Sequence, residues 1–149
     1  MNYDFTQRGN YPRSGREQLG GVAFLPRTVD KLRAHAAGTA GEYNALRGLS
    51  GRVYDLFGVT PEQAVEAVRE NPTDEGVLSW LQEHGSKHPT EEEIGRYNEA
   101  ILSAGPQNEE GMTRFRGNLE RLGFGDRTDV KTHIYAEDLE EGREVPRRG

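Results

Sequence analysis

Cysteine is absent from this 149-residue chain, which excludes disulfides, thiolate nucleophiles and cysteine-based zinc sites. Long apolar runs are missing too. Nothing approaches the roughly 20 consecutive apolar residues that cross a bilayer. The opening MNYDFTQRGNYPRSGR has no apolar stretch that would serve as a secretory signal. These absences predict a cytoplasmic protein with no membrane partner. Hydrophobic residues make up only 33% and mean hydropathy is -0.87, so a modest core is expected. The length suits one domain and leaves no room for two ordinary cores.

Charge is present in quantity and unevenly spread. Residues 1–58 hold 8 Lys/Arg against 5 Asp/Glu, and residues 59–149 hold 11 against 20. Much of the acidic excess lies in predicted first helical turns: Glu62, Asp74, Glu75, Glu91, Glu92, Glu93, Glu109 and Glu110. A carboxylate there meets the positive end of the helix dipole, worth a few tenths to about 1 kcal/mol. The acidity is therefore helix chemistry and does not point to DNA mimicry or metal storage.

The dominant period from Ser14 onward is helical. Leu25, Val29, Leu32 and Ala36 fall within about 60° of one another on a helical wheel and predict one buried stripe. Pro26 suits the first turn and Gly38 ends that helix. A short helix over Gly41–Arg47 and another capped by Ser50 are expected next. Thr60, Thr73, Thr90 and Asn108 then cap four clear amphipathic segments. These are stopped by Asn71-Pro72, by Gly85, by Gly105-Pro106 and beyond Leu122. Near the C-terminus, Val130, Thr132 and Ile134 alternate like an edge strand, while Asp129 also reads as a helix cap.

The expected fold is all-α, a compact bundle of six or seven short helices with a possible short extended segment near the C-terminus. Its expected core is Leu25, Val29, Leu32, Phe57, Val68, Leu78, Trp80, Leu81, Ile94, Tyr97, Ile101, Phe115 and Leu119. Residues 1–13 read as a loose arm, 14–142 as a single helical domain and 143–149 as a loose tail.

Chemistry is sparser. No nucleophile elbow, phosphate loop or dinucleotide fingerprint occurs, so no cofactor is expected. His84 and His88 in HGSKH have the spacing of a helical zinc pair. Gly85 and Ser86 between them, at a predicted helix end, favour a solvated turn, and no metal is expected. Gly38-Thr39-Ala40-Gly41 is similar to the G-x-x-G clamp of some RNA-binding domains, but it follows the partly negative end of a helix. A charge of +3 over residues 1–58 is also a poor footprint for nucleic acid.

The stretch LPRTVDKLRAHAAGTAGEYNA, residues 25–45, is the richest. On the wheel Arg27 and Lys31 lie nearly opposite the apolar stripe, and Asp30 is spaced to pair with Arg27 and Arg33. One reading is a solvated face with ion pairs of about 0.2–0.5 kcal/mol each. The other notes that Ala34 and Ala37 leave space beside Glu42 and Tyr43. Arg27, Asp30, Lys31, Arg33, Glu42 and Tyr43 would then line a polar cleft for an anion or polar small molecule.

Pro26, Arg27, Asp30, Lys31, Arg33 and Ala34, followed by Ala37 to Tyr43, form P-R-x-x-D-K-x-R-A and A-G-T-x-G-E-Y. With Leu19-Gly20-Gly21, Asp55 to Gly58 and the Trp80 helix, they resemble a bacterial family known only as a domain of unknown function (DUF5069). Where many relatives carry a Cys-Pro-Leu-Asp-like segment, this chain has Asn44, Ala45, Leu46, Arg47, Gly48 and Leu49. The resemblance implies no activity. The leading expectation is a small interaction or ligand-binding protein without catalysis, taking an anionic small molecule or a protein partner. The alternative is an enzyme on an anionic small molecule, with Arg27, Lys31, Arg33 and Tyr43 as binding groups and Asp30 or Glu42 as acid/base. Nucleic-acid binding by the basic half is the weakest reading.

Overall fold

Short polar side chains write most of the helix starts. Thr60 accepts from the N–H of Gln63 at 3.1 Å while the Gln63 amide oxygen accepts from the N–H of Thr60 at 2.8 Å, a reciprocal capping box. Thr90 and Glu93 form a second such box, while Thr73 and Asn108 cap one way only, accepting from the N–H of Gly76 and Gly111. Thr60→Ala is expected to lower stability by about 1 kcal/mol, read as a lower urea midpoint with an unchanged slope.

The computed structural model describes residues 2–147. In chain order it has two short strands, β1 (Gln18–Leu19) and β2 (Val22–Ala23), then α1 (Leu25–Ala37), α2 (Ser50–Phe57), α3 (Pro61–Glu70), α4 (Asp74–His84), α5 (Glu91–Leu102), α6 (Glu109–Arg121) and α7 (His133–Glu140). The protein is thus mostly α, as expected, with one hairpin that helical periodicity does not reveal. The strands are antiparallel, with Leu19 opposite Val22. Gly20 (φ 60°) and Gly21 (φ 79°) make the two-residue turn between them, where both positions need the left-handed region.

The chain divides into two compact units, residues 1–101 and 102–149. In the first, α1 packs chiefly against α3 and also meets α2, α4 and β1. Val22, Phe24, Leu25, Val29, Leu32, Val53, Tyr54, Phe57, Val68, Val77 and Leu81 are buried in it. The hairpin is tied to α5: Asn98 accepts from the N–H of Ala23 at 2.9 Å and donates to Gly21 O at 2.8 Å, and the Tyr97 hydroxyl donates to Ala23 O at 2.8 Å. In the second unit Phe115, Leu119, Val130, Leu139 and Val145 form one apolar cluster.

Several local expectations are corrected. Residues 41–47 are not a helix. Gly41 at φ +59° brings the backbone against Phe5 O, where a Cβ would stand at 2.8 Å, and the Asn44 side chain captures the Leu46 N–H at 2.9 Å. Ser50 is the first residue of α2 and not its cap, since its buried hydroxyl bonds Thr28. Trp80 is a half-buried surface ring: its indole N–H donates to Glu70 at 2.7 Å and its face stacks on His84 at 4.1 Å. Leu78, Ile94 and Tyr97 are likewise only partly covered.

No extended segment forms around Val130. The N-cap of α7 is Thr132, because Asp129 already accepts two bonds from Arg127 at 3.0 Å each. Of the predicted arm and tail, Met1 and residues 148 and 149 lie outside the described residues. Phe5 and Val145 are buried, and the Arg127 guanidinium donates to Val145 O at 2.8 Å.

Candidate functional site

The first two turns of α1 contradict a solvated polar face. Every residue from Leu25 to Lys31 is buried, including Arg27 at 1%, Thr28 and Asp30 at 0% and Lys31 at 6%. The far end of the helix reverses the wheel: Ala36 and Ala37 are exposed, whereas Ala34 is at 0%. The N-terminal segment is the cause, because it lies along α1 and supplies hydrogen bonds that a helical wheel cannot show. Phe5 N–H donates to Thr39 O at 2.9 Å, and the Thr39 hydroxyl donates to Tyr3 O at 2.9 Å. The Gly38–Gly41 turn thereby anchors this segment.

Arg13 is the centre of the arrangement. Its backbone N–H (2.8 Å) and Nε (3.0 Å) both donate to one Asp30 oxygen, and a terminal nitrogen reaches the other at 2.9 Å. The same guanidinium donates to Asp74, at the start of α4, at 2.8 and 3.2 Å. Planar guanidinium geometry allows this two-sided bridging. Burial works against the Arg13 charge, but the bonds to Asp74 and Asp30 outweigh it and hold its proton well above the ordinary arginine range. The Arg13 bond in turn draws Asp74 below the usual carboxylate range. The expected Asp30 pairs with Arg27 and Arg33 are thus replaced by a pair with Arg13.

The other predicted residues separate. Arg27 donates to Arg13 O at 3.1 Å and its guanidinium lies 5.5 Å from the Tyr43 ring centroid. Tyr43 meets Phe5 edge-on at 5.5 Å. The Lys31 ammonium lies 5.2 Å from the Phe24 ring centroid. Such cation–ring contacts contribute about 0.5–2 kcal/mol, the more so when desolvated. Arg33 turns toward α3 and donates to Val68 O at 3.3 Å. Glu42 is exposed. Arg27, Asp30 and Lys31 are therefore buried on α1, Tyr43 is half-buried against Arg27, Arg33 borders α3, and Glu42 faces solvent.

Four contributors escape sequence reading: Arg13, Asp74, Phe24 and Ser50. Phe24 precedes α1 at φ 71°, a left-handed conformation that a bulky residue rarely adopts. Its N–H is held by Gly15 O at 3.0 Å and Glu17 O at 3.2 Å. The Thr28 and Ser50 hydroxyls are 3.0 Å apart. Asp74 looks like any first-turn carboxylate, and Arg13 sits where no period exists.

Elsewhere, His84 Nδ1 lies 3.0 Å from Trp80 O. Among the described residues no group of three or more His, Asp or Glu is arranged to hold a metal, and no helix is long and apolar enough to cross a membrane.

These features define a mostly helical small protein whose first helix turns charged side chains inward. The model of a family described as Domain of unknown function (DUF5069) matches residues 9–143, and the chain belongs to that family. No curated protein sequence matches it.

Proposed function

We propose that this is a cytosolic, bacterial ligand-binding protein without catalysis, whose α1 region holds the anionic part of a small polar molecule. The observation that carries the reading is the burial of Arg27 and Lys31 at 1% and 6%, Lys31 lying beside Phe24, a non-glycine residue held at φ 71°. Charged groups are costly to bury and are kept where they serve structure or a site. Strained backbone of this kind clusters at ligand clamps and active sites.

The geometry favours binding over acid/base chemistry. Both Asp30 oxygens are occupied by Arg13, so Asp30 is a clamp, and Glu42 is exposed. Arg27 and Lys31 are the buried cations of this helix, and Tyr43 stands beside Arg27, which gives an anion two positive charges to meet. Burial within the protein strengthens such contacts.

The test is a thermal-shift titration of wild type, Arg27→Lys and Tyr43→Leu with a panel of phosphate, sulfate, di- and tricarboxylates and phosphosugars. A ligand of the native state raises the midpoint in proportion to the logarithm of its concentration. At least one anion is expected to do so for wild type, and the shift should shrink in both variants. Equal shifts in all three proteins, or no shift across the panel, would overturn the reading.

A further inference from the structure

The HGSKH segment, residues 84–88, leads out of α4 and is pinned to the end of α2. Lys87 N–H donates to Phe57 O at 3.2 Å, and the Ser86 N–H and hydroxyl both donate to Gly58 O at 3.1 Å. Gly85 makes the approach feasible, since a Cβ there would stand 2.1 Å from Phe57 O and 2.7 Å from Leu81 O. The segment is therefore a fixed rim. It places Lys87 and His88 on the lining of a cavity of about 270 Å³, whose apolar walls include Val22, Phe57, Leu78 and Ile94.

We propose that this cavity binds a small apolar carboxylic acid, with its hydrocarbon body against those four side chains and its carboxylate at Lys87 and His88. Size supports a small molecule. At the ~30 Å³ that one water occupies in the liquid, the space takes on the order of ten non-hydrogen atoms. Charge supports an acid. The lining holds a lysine, a histidine and Gln82 and no carboxylate. Glu93, which feels the Lys87 charge, already accepts from the Thr90 N–H at 3.1 Å. An ammonium beside an apolar wall gives a carboxylate a charge-assisted bond at a partly dry site. This site is separate from the α1 region, and its fate does not depend on that reading.

Hexanoate and hexan-1-ol are the probes, titrated into the full chain by amide-resolved NMR and calorimetry. Lys87 is exposed, so Lys87→Gln should fold like the parent, which the amide spectrum verifies. Hexanoate is expected to shift the amides of Val22, Leu78 and Lys87. Lys87→Gln should weaken it about tenfold, and hexan-1-ol should bind both proteins at the weakened level. Perturbation confined to other residues, hexanoate affinity unchanged in Lys87→Gln, or hexan-1-ol binding as tightly as hexanoate would overturn the proposal.

Discussion

Replacing Asp30 with alanine is expected to remove about 3–5 kcal/mol of unfolding free energy. Asp30 is fully buried, and it accepts the backbone N–H, Nε and a terminal nitrogen of Arg13. Removing it leaves those donors desolvated and leaves Arg13, whose side chain is only 26% exposed, with Asp74 as its remaining carboxylate. The loss is the penalty of a stranded charge more than the net value of the pair. Asp30→Asn should lose less, because an amide oxygen can still accept. Urea unfolding followed by Trp80 fluorescence reads the effect in the first unit, since Trp80 is the chain's single tryptophan.

The network also carries a pH signature. Asp74 is held below its usual range by Arg13, so it contributes stability above the unfolded carboxylate value. That contribution disappears as pH falls through the lower folded value. The acid limb of the stability profile should therefore flatten in Asp74→Asn.

Phe57→Ala is the second large effect, expected at about 3–5 kcal/mol. Phe57 is 1% exposed at the last turn of α2, and its side chain forms one wall of the Lys87 cavity. Truncation subtracts transfer free energy and leaves a void that fixed neighbours close poorly. Gly58 at φ +67° and the bonds to Ser86 and Lys87 restrain the local backbone. The denaturant midpoint should drop with an unchanged slope. A loss under about 1 kcal/mol would mean that the α2 end readily collapses into the space.

The helices were legible because their signals are local. Thr60, Thr73, Thr90 and Asn108 cap where their polar oxygens and following acids predict, and Gly38 and Gly58 end helices in the left-handed region. Periodicity misled at α1 because a wheel assigns water to whatever is not apolar. Here Arg13, a residue with no period of its own, takes Asp30 on that side, while Tyr3 and Phe5 fasten the segment to Thr39 beyond the helix end. The placement of Arg27, Asp30 and Lys31 on one helix was readable from their spacing. The partner of Asp30 was not, because a 17-residue separation leaves no local trace. Trp80 was misplaced for a related reason. Its place among the apolar residues Val77, Leu78 and Leu81 of one predicted helix suggested the core, while Glu70 and His84 give it polar and stacking partners at the surface.

The inward-facing ion network of α1 is most directly tested by a double-mutant cycle on Arg13→Ala and Asp30→Ala, with free energies from urea unfolding. Each single change should strand the other partner, and the double variant should recover part of the loss, giving a coupling of about 1–3 kcal/mol. Free energies that add to within about 0.5 kcal/mol would contradict it and return the α1 charges to solvent.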